Sequence, residues 1–143
     1  MLVDHAEVAD GKLFINGGGW NITGPAPTPY GIAMHLEVPW DQTNAKHTLL
    51  LELLTTDGEA VTVTTPDGEE QPVRWETQFE VGRPVGVKPG TPLGIPLAVN
   101  FPQAPPVAPG GQYVWTLTID GHADEDWRLT FSTRPNGPQS MAA

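Results

Sequence analysis

The chain contains no cysteine, which excludes disulfides, thiolate catalysis and zinc sites built on sulfur. Serine is nearly as scarce. Ser132 and Ser140 are the only two, and neither stands in a Gly-x-Ser-x-Gly elbow, so no serine-hydrolase triad is expected. Basic residues number seven against seventeen acidic ones, a formal net charge of −10. Lys12, Lys46, Arg74, Arg83, Lys88, Arg128 and Arg134 are scattered along the chain. A phosphate backbone needs a concentrated positive surface, so nucleic acid is not an expected partner. Anionic membranes are disfavoured by the same repulsion. No apolar run has the length of a membrane span. The opening, Met1 to His5, has neither the basic nor the apolar region of a signal peptide. A cytoplasmic location is expected.

Glycine and proline, by contrast, are abundant at sixteen each. Such a composition can mark disorder. Here the apolar residues fall in ordered, phased runs, which places the glycines and prolines in turns, loops and edges. Four Asp-Gly pairs punctuate the chain: Asp10-Gly11, Asp57-Gly58, Asp67-Gly68 and Asp120-Gly121. Asp-Gly suits tight hairpin turns because both residues tolerate positive φ. Most of these pairs lie beside runs that alternate apolar with polar residues, the mark of a half-buried strand.

Val3–Ala9 and Lys12–Ile15 read as the first hairpin. Gly17-Gly18-Gly19 then suggests a bulge or bend, and Pro25, Pro27 and Pro29 a stiff connector. Ile32, Met34, Leu36 and Val38 share one face of the next strand, which Pro39 ends. Trp40 to His47 reads as a loop or single helical turn that Asp41 could cap. Leu49, Leu51 and Leu53 are in phase, with Leu50 and Leu54 on the other face, as in a central strand. Val61–Val63 is a short strand, and Val73 to Val81 alternates most cleanly. Leu93 to Phe101 carries Pro96 opposite its apolar face, so it belongs at an edge or a bulge. Tyr113–Ile119 and Trp127–Phe131 close the series. Eight to ten short strands without helical periodicity predict an all-β fold, a two-sheet antiparallel β-sandwich. It is expected to be immunoglobulin-like or a related Greek key, with a jelly roll or small barrel as the alternative. Residues 1–135 form one domain in this reading, and 136–143 a flexible tail.

Chemistry is harder to find. His5, His35, His47 and His122 show no ligand spacing, and His35 on a wet strand face is simplest as a solvated imidazole. No cofactor is expected. Asp120, Asp124, Glu125 and Asp126 crowd one apparent hairpin tip, and Asp120, Asp124 and Asp126 make a weak calcium candidate. Such acids are usually just solvated, and the Asp-x-Asp-x-Asp-Gly register is missing. Gly17-Gly18-Gly19 is no phosphate loop, because neither Lys-Ser/Thr nor a helix follows. Trp75, Trp115 and Trp127 are in phase with aliphatic neighbours and expected in the core. Trp20 and Trp40 flank loops, where each serves either as a plug for the core or as an anchor for a ligand. Trp40 with Asp41, Asn44 and His47 is the densest mixture of aromatic and polar groups, so these four and Trp20 form the leading candidate site.

Several stretches have the look of recurring motifs: Ala9-Asp10-Gly11-Lys12-Leu13, Gly17-Gly18-Gly19-Trp20, Val38-Pro39-Trp40-Asp41 with Asn44 and His47, Gly82-Arg83-Pro84 and Leu97-Ala98-Val99-Asn100-Phe101. In these the chain resembles a family of small, uncharacterised bacterial proteins, many of them actinobacterial, classed as a domain of unknown function. The resemblance runs from about Leu2 to Pro135 and implies a stand-alone cytosolic domain, with no reaction, ligand or catalytic residue attached. The expected function is a non-catalytic module presenting loops to a protein or small ligand. The alternatives are a carboxylate-based hydrolase of a sugar or polymer and a self-associating structural subunit, for which a homodimer is the simplest form.

Overall fold

The computed structural model describes residues 1–137, so most of the expected tail lies outside the described residues. Eleven strands form among them: β1 (Leu2–Ala9), β2 (Lys12–Gly18), β3 (Ile22–Thr23), β4 (Tyr30–Val38), β5 (Lys46–Thr55), β6 (Thr62–Thr64), β7 (Glu70–Pro72), β8 (Arg74–Glu80), β9 (Leu93–Phe101), β10 (Gln112–Ile119) and β11 (His122–Thr133). One sheet has the order β2-β1-β4-β9 and the other β3-β11-β10-β5-β8, while β6 and β7 make a separate ribbon. The fold is an all-β sandwich. Its pairings are antiparallel except at one edge, where β3 runs parallel to β11 through Ser132 and Thr133.

The phased residues meet between the sheets, as the alternation requires. Leu2, Ile32 and Val99 from the first sheet pack on Leu49, Leu51, Leu53, Trp115 and Phe131 from the second, all buried. The Trp115 Nε1–H donates to the Tyr30 hydroxyl across the core at 2.8 Å, which satisfies the buried indole. β5 is central, between β10 and β8, and Leu50 and Leu54 on its outer face are half-buried. β9 is an edge, as Pro96 requires.

The Asp-Gly pairs divide into two kinds. Asp10-Gly11 and Asp120-Gly121 have positive φ at both residues (51° and 70°, 51° and 81°), the mark of two-residue type I′ hairpins. At Asp57-Gly58 and Asp67-Gly68 only the glycine has positive φ.

Several expectations are corrected. β2 extends through Gly18 before the expected bend, which falls at Gly19 (φ 88°), and Gly17 itself adopts φ 59°, a conformation that favours glycine. Asp41 caps nothing, because Pro39 is the N-cap of the single 3₁₀ turn Trp40–Gln42 and has no side-chain acceptor. The acid-rich tip contracts to Asp120-Gly121, with Asp124, Glu125 and Asp126 already inside β11. Trp127, expected in the core, is 36% exposed. It projects inward in phase with Leu129, but the opposing sheet stops short of it.

That shortfall sets the surface. β1 pairs with β4 only at Leu2–Ile32 and Val3–Gly31, extended by reciprocal bonds between Met1 and Ala33 (3.0 and 2.6 Å). On the far side β4 pairs with β9 along its whole length, Tyr30 to Val38. From Met34 to Val38, therefore, one edge of β4 has no neighbouring strand among the described residues. Beyond Val3, β1 leaves β4 and is tied to β9 instead: Asn100 Oδ1 accepts from the Ala6 N–H (3.1 Å) and its Nδ2 donates to the Ala6 carbonyl (2.8 Å). Gly31 makes this crossing possible, since a Cβ there would sit 2.6 Å from Asn100 Oδ1.

Candidate functional site

The loop from Pro39 to His47 closes one end of the sandwich and is fastened from within. Thr43 Oγ1 donates to the Trp40 carbonyl (2.7 Å). Arg83 donates through Nε to Thr43 Oγ1 and through a terminal nitrogen to the Trp40 carbonyl, both at 2.7 Å. The same guanidinium lies 3.9 Å from the centre of the Trp40 ring, a cation–π contact. Asn44 adopts φ 56°, which asparagine tolerates better than most residues, and its N–H donates to the Val81 carbonyl (2.8 Å). Trp40 is half-buried beneath Arg83, while Asp41 and Asn44 are exposed.

His47 is the most constrained member. Its Nε2–H donates to the Gln42 carbonyl (2.7 Å) and its Nδ1–H to Asp120 Oδ2 (2.6 Å). Both partners are acceptors, so the ring satisfies them together only as imidazolium. The bond to Asp120, then that to Gln42, raises the proton affinity of His47 above its usual value. The reciprocal bond from His47, then the Thr48 N–H (2.8 Å), lowers that of Asp120. Phe79 packs on the imidazole with ring centres 5.3 Å apart. His47 and Asp120 thus pin the loop to the β10–β11 turn.

Trp20 lies elsewhere. It packs edge-on against Tyr30 (5.4 Å) and Phe131 (6.0 Å) beside the first residue of β4, whereas Trp40 follows the last. Nine residues of strand separate them by roughly 27 Å. Trp20 and Trp40 do not share a site. The calcium candidate is also drawn apart: Asp120 is engaged by His47 and Thr48, and Asp124 Oδ1 accepts the Asp126 N–H (2.8 Å). Among the described residues no three His, Asp or Glu side chains are grouped to hold a metal ion.

A groove runs between the sheets along the uncovered edge of β4. It consists of two cavities of about 380 and 450 Å³ that share His35, Leu36 and Trp127. The first is floored by Leu117, Trp127 and Leu129 and overhung by Leu13 and Ile15 of β2. The second ends against Phe79, Gln42 and His47. Consecutive residues of β4, Ile32 to Val38, line the groove. Successive strand residues point to opposite faces, so an unbroken run borders a cavity only where the backbone edge faces it. Volume and apolar walls fall in the range of ligand sites. Of the leading candidates only His47 lines this groove. Trp127, Leu36 and Phe79 were missed because they read as core; Arg83 was visible only as part of Gly82-Arg83-Pro84.

The chain is a member of a family of unknown function, DUF6941, whose model matches residues 1–132. No curated protein and no solved structure matches it.

Proposed function

We infer that the protein is a non-catalytic binding module whose site is the inter-sheet groove rather than the Trp40 loop alone. The apolar groove open along β4 carries this reading. Trp127 supports it, since a large indole left partly exposed beside a cavity is a typical anchor. The Pro39–His47 loop then serves as a fixed end wall, and its internal bonds reduce the ordering cost of binding.

The sandwich also reads as immunoglobulin-like. The supports are the contiguous order β11-β10-β5 and Tyr113 at the start of β10, two positions before the buried Trp115. Its hydroxyl accepts the Ala108 N–H at 2.7 Å, five residues upstream, in the manner of a tyrosine corner. A small bacterial, cytoplasmic protein fits the lack of cysteine.

The neutral dye N-phenyl-1-naphthylamine tests the site. Saturable binding is expected, with quenching of Trp127, and Leu36→Glu should weaken it about tenfold or more. Binding that ignores Leu36→Glu and Trp127→Ala, or no binding at all, contradicts the groove as a site.

A further inference from the structure

We propose that the groove takes an extended, lysine- or arginine-bearing peptide segment of a partner protein, which adds as a strand to the free edge of β4. This rests on the groove being the binding site and names its occupant. Three observations on the edge point to a strand.

The backbone groups are aimed into the groove. Ala33 exchanges its N–H and C=O with Met1 on the β1 side, and in an antiparallel ladder such groups recur at every second residue. His35 and Glu37 therefore present their N–H and C=O on that same side, where no strand of the described residues lies. The far side agrees. His35 faces Pro96 of β9, which has no N–H to give, so this is a non-hydrogen-bonded pair and the polar groups of His35 turn away from β9.

The edge is also unprotected. Sheet edges are commonly blunted by proline, lysine or a bulge. β9 carries Pro96 at its edge; Met34 to Val38 of β4 carries no proline or lysine.

The space and charge fit one kind of occupant. An added strand lies about 4.8 Å from its neighbour, with alternate side chains on opposite faces. One face of a segment continuing the line of β1 would meet Leu117, Trp127 and Leu129, which wants apolar residues at every second position. Among the described residues no lysine or arginine lines the groove; the Met1 ammonium stands at one end, bonded to the Ala33 carbonyl, while Glu37 and Asp126 line it, on a chain of net charge −10. His47 at the far end is neutralised by Asp120. Basic residues flanking the apolar ones complement this rim, and the same charge disfavours a second copy as the occupant.

The probe is the peptide acetyl-Lys-Val-Thr-Val-Thr-Val-Lys-amide, added to the full chain while amide hydrogen exchange is followed residue by residue. Saturable binding is expected, with exchange at His35 and Glu37 slowed about tenfold or more. A backbone N-methylated peptide should fail to bind, and a version with glutamate for lysine should bind at least about tenfold more weakly. His35→Pro should abolish binding while keeping the β4–β9 ladder, since only the outward N–H is lost. The strand proposal is overturned by equal binding of the N-methylated peptide, or by binding without protection at His35 and Glu37. It is overturned equally by a concentration-dependent dimer that protects both amides without peptide, which would make a second copy the occupant. If the naphthylamine dye binds and no peptide does, strand addition fails and the groove stands as a site; if neither binds, both fail.

Discussion

His47 shows how one residue can hold a loop, a turn and a cavity wall together. Its raised proton affinity means that its contribution to stability is fully present below the ordinary histidine value of 6.5 and is lost as pH rises through the folded value. Asp120, shifted down from 3.8, contributes above that value and loses its contribution as pH falls through the folded one. The pair therefore helps most in mildly acidic solution. The difference in melting temperature between the protein and His47→Gln should be largest near about pH 5 and shrink above neutrality. A difference that does not vary with pH contradicts the imidazolium assignment. Tyr30 makes the sharper test of the core. Tyr30→Phe leaves the Trp115 N–H buried without its acceptor and should cost about 1–3 kcal/mol in denaturant unfolding. The half-buried indole of Trp20 behaves differently: its Nε1 is buried and has no hydrogen-bond partner among the described residues. Trp20→Phe removes no bond, so it should destabilise less than Trp115→Phe. None of these pairings was legible in the sequence, because His47 and Asp120 are 73 residues apart and Trp115 and Tyr30 are 85 apart.

The strands themselves were legible wherever apolar residues recur at every second position. Ile32, Leu49, Leu51, Leu53, Val99 and Phe131 all face the core as their phase requires, and Pro96 marked its edge in advance. What periodicity cannot say is whether a layer exists opposite. Trp127 has the phase of a core residue and still meets solvent, because β1 covers β4 only as far as the Met1–Ala33 bonds. Nor does it register contacts made by a missing side chain: Gly31 matters through the room it leaves for Asn100. The alternation of backbone groups along β4 yields its own prediction. His35→Pro removes an outward N–H and should leave the fold intact, whereas Leu36→Pro removes a bond to β9 and should cost about 3 kcal/mol or more. Thermal melts of the two variants check this; equal damage from both would place the His35 N–H inside the ladder.

In the whole molecule, one sheet is shorter than the other on one side, and the uncovered inner face of the longer sheet becomes the groove. The charge of −10 was readable at once, yet the groove was not, because its walls come from β2, β4, β5, β8, β10 and β11. The Trp40–His47 loop, singled out from the sequence, supplies only its end wall, through Gln42 and His47. That one side of the sandwich is open is pairing information, which lies in registers rather than in composition. Residue-resolved hydrogen exchange of the free protein reads those registers. Amides of Met34 and Leu36, bonded toward β9, should exchange slowly, and those of His35 and Glu37 on the open side at least about a hundredfold faster. Comparable protection at all four amides would mean that the edge of β4 is already covered and that no groove exists there to be filled.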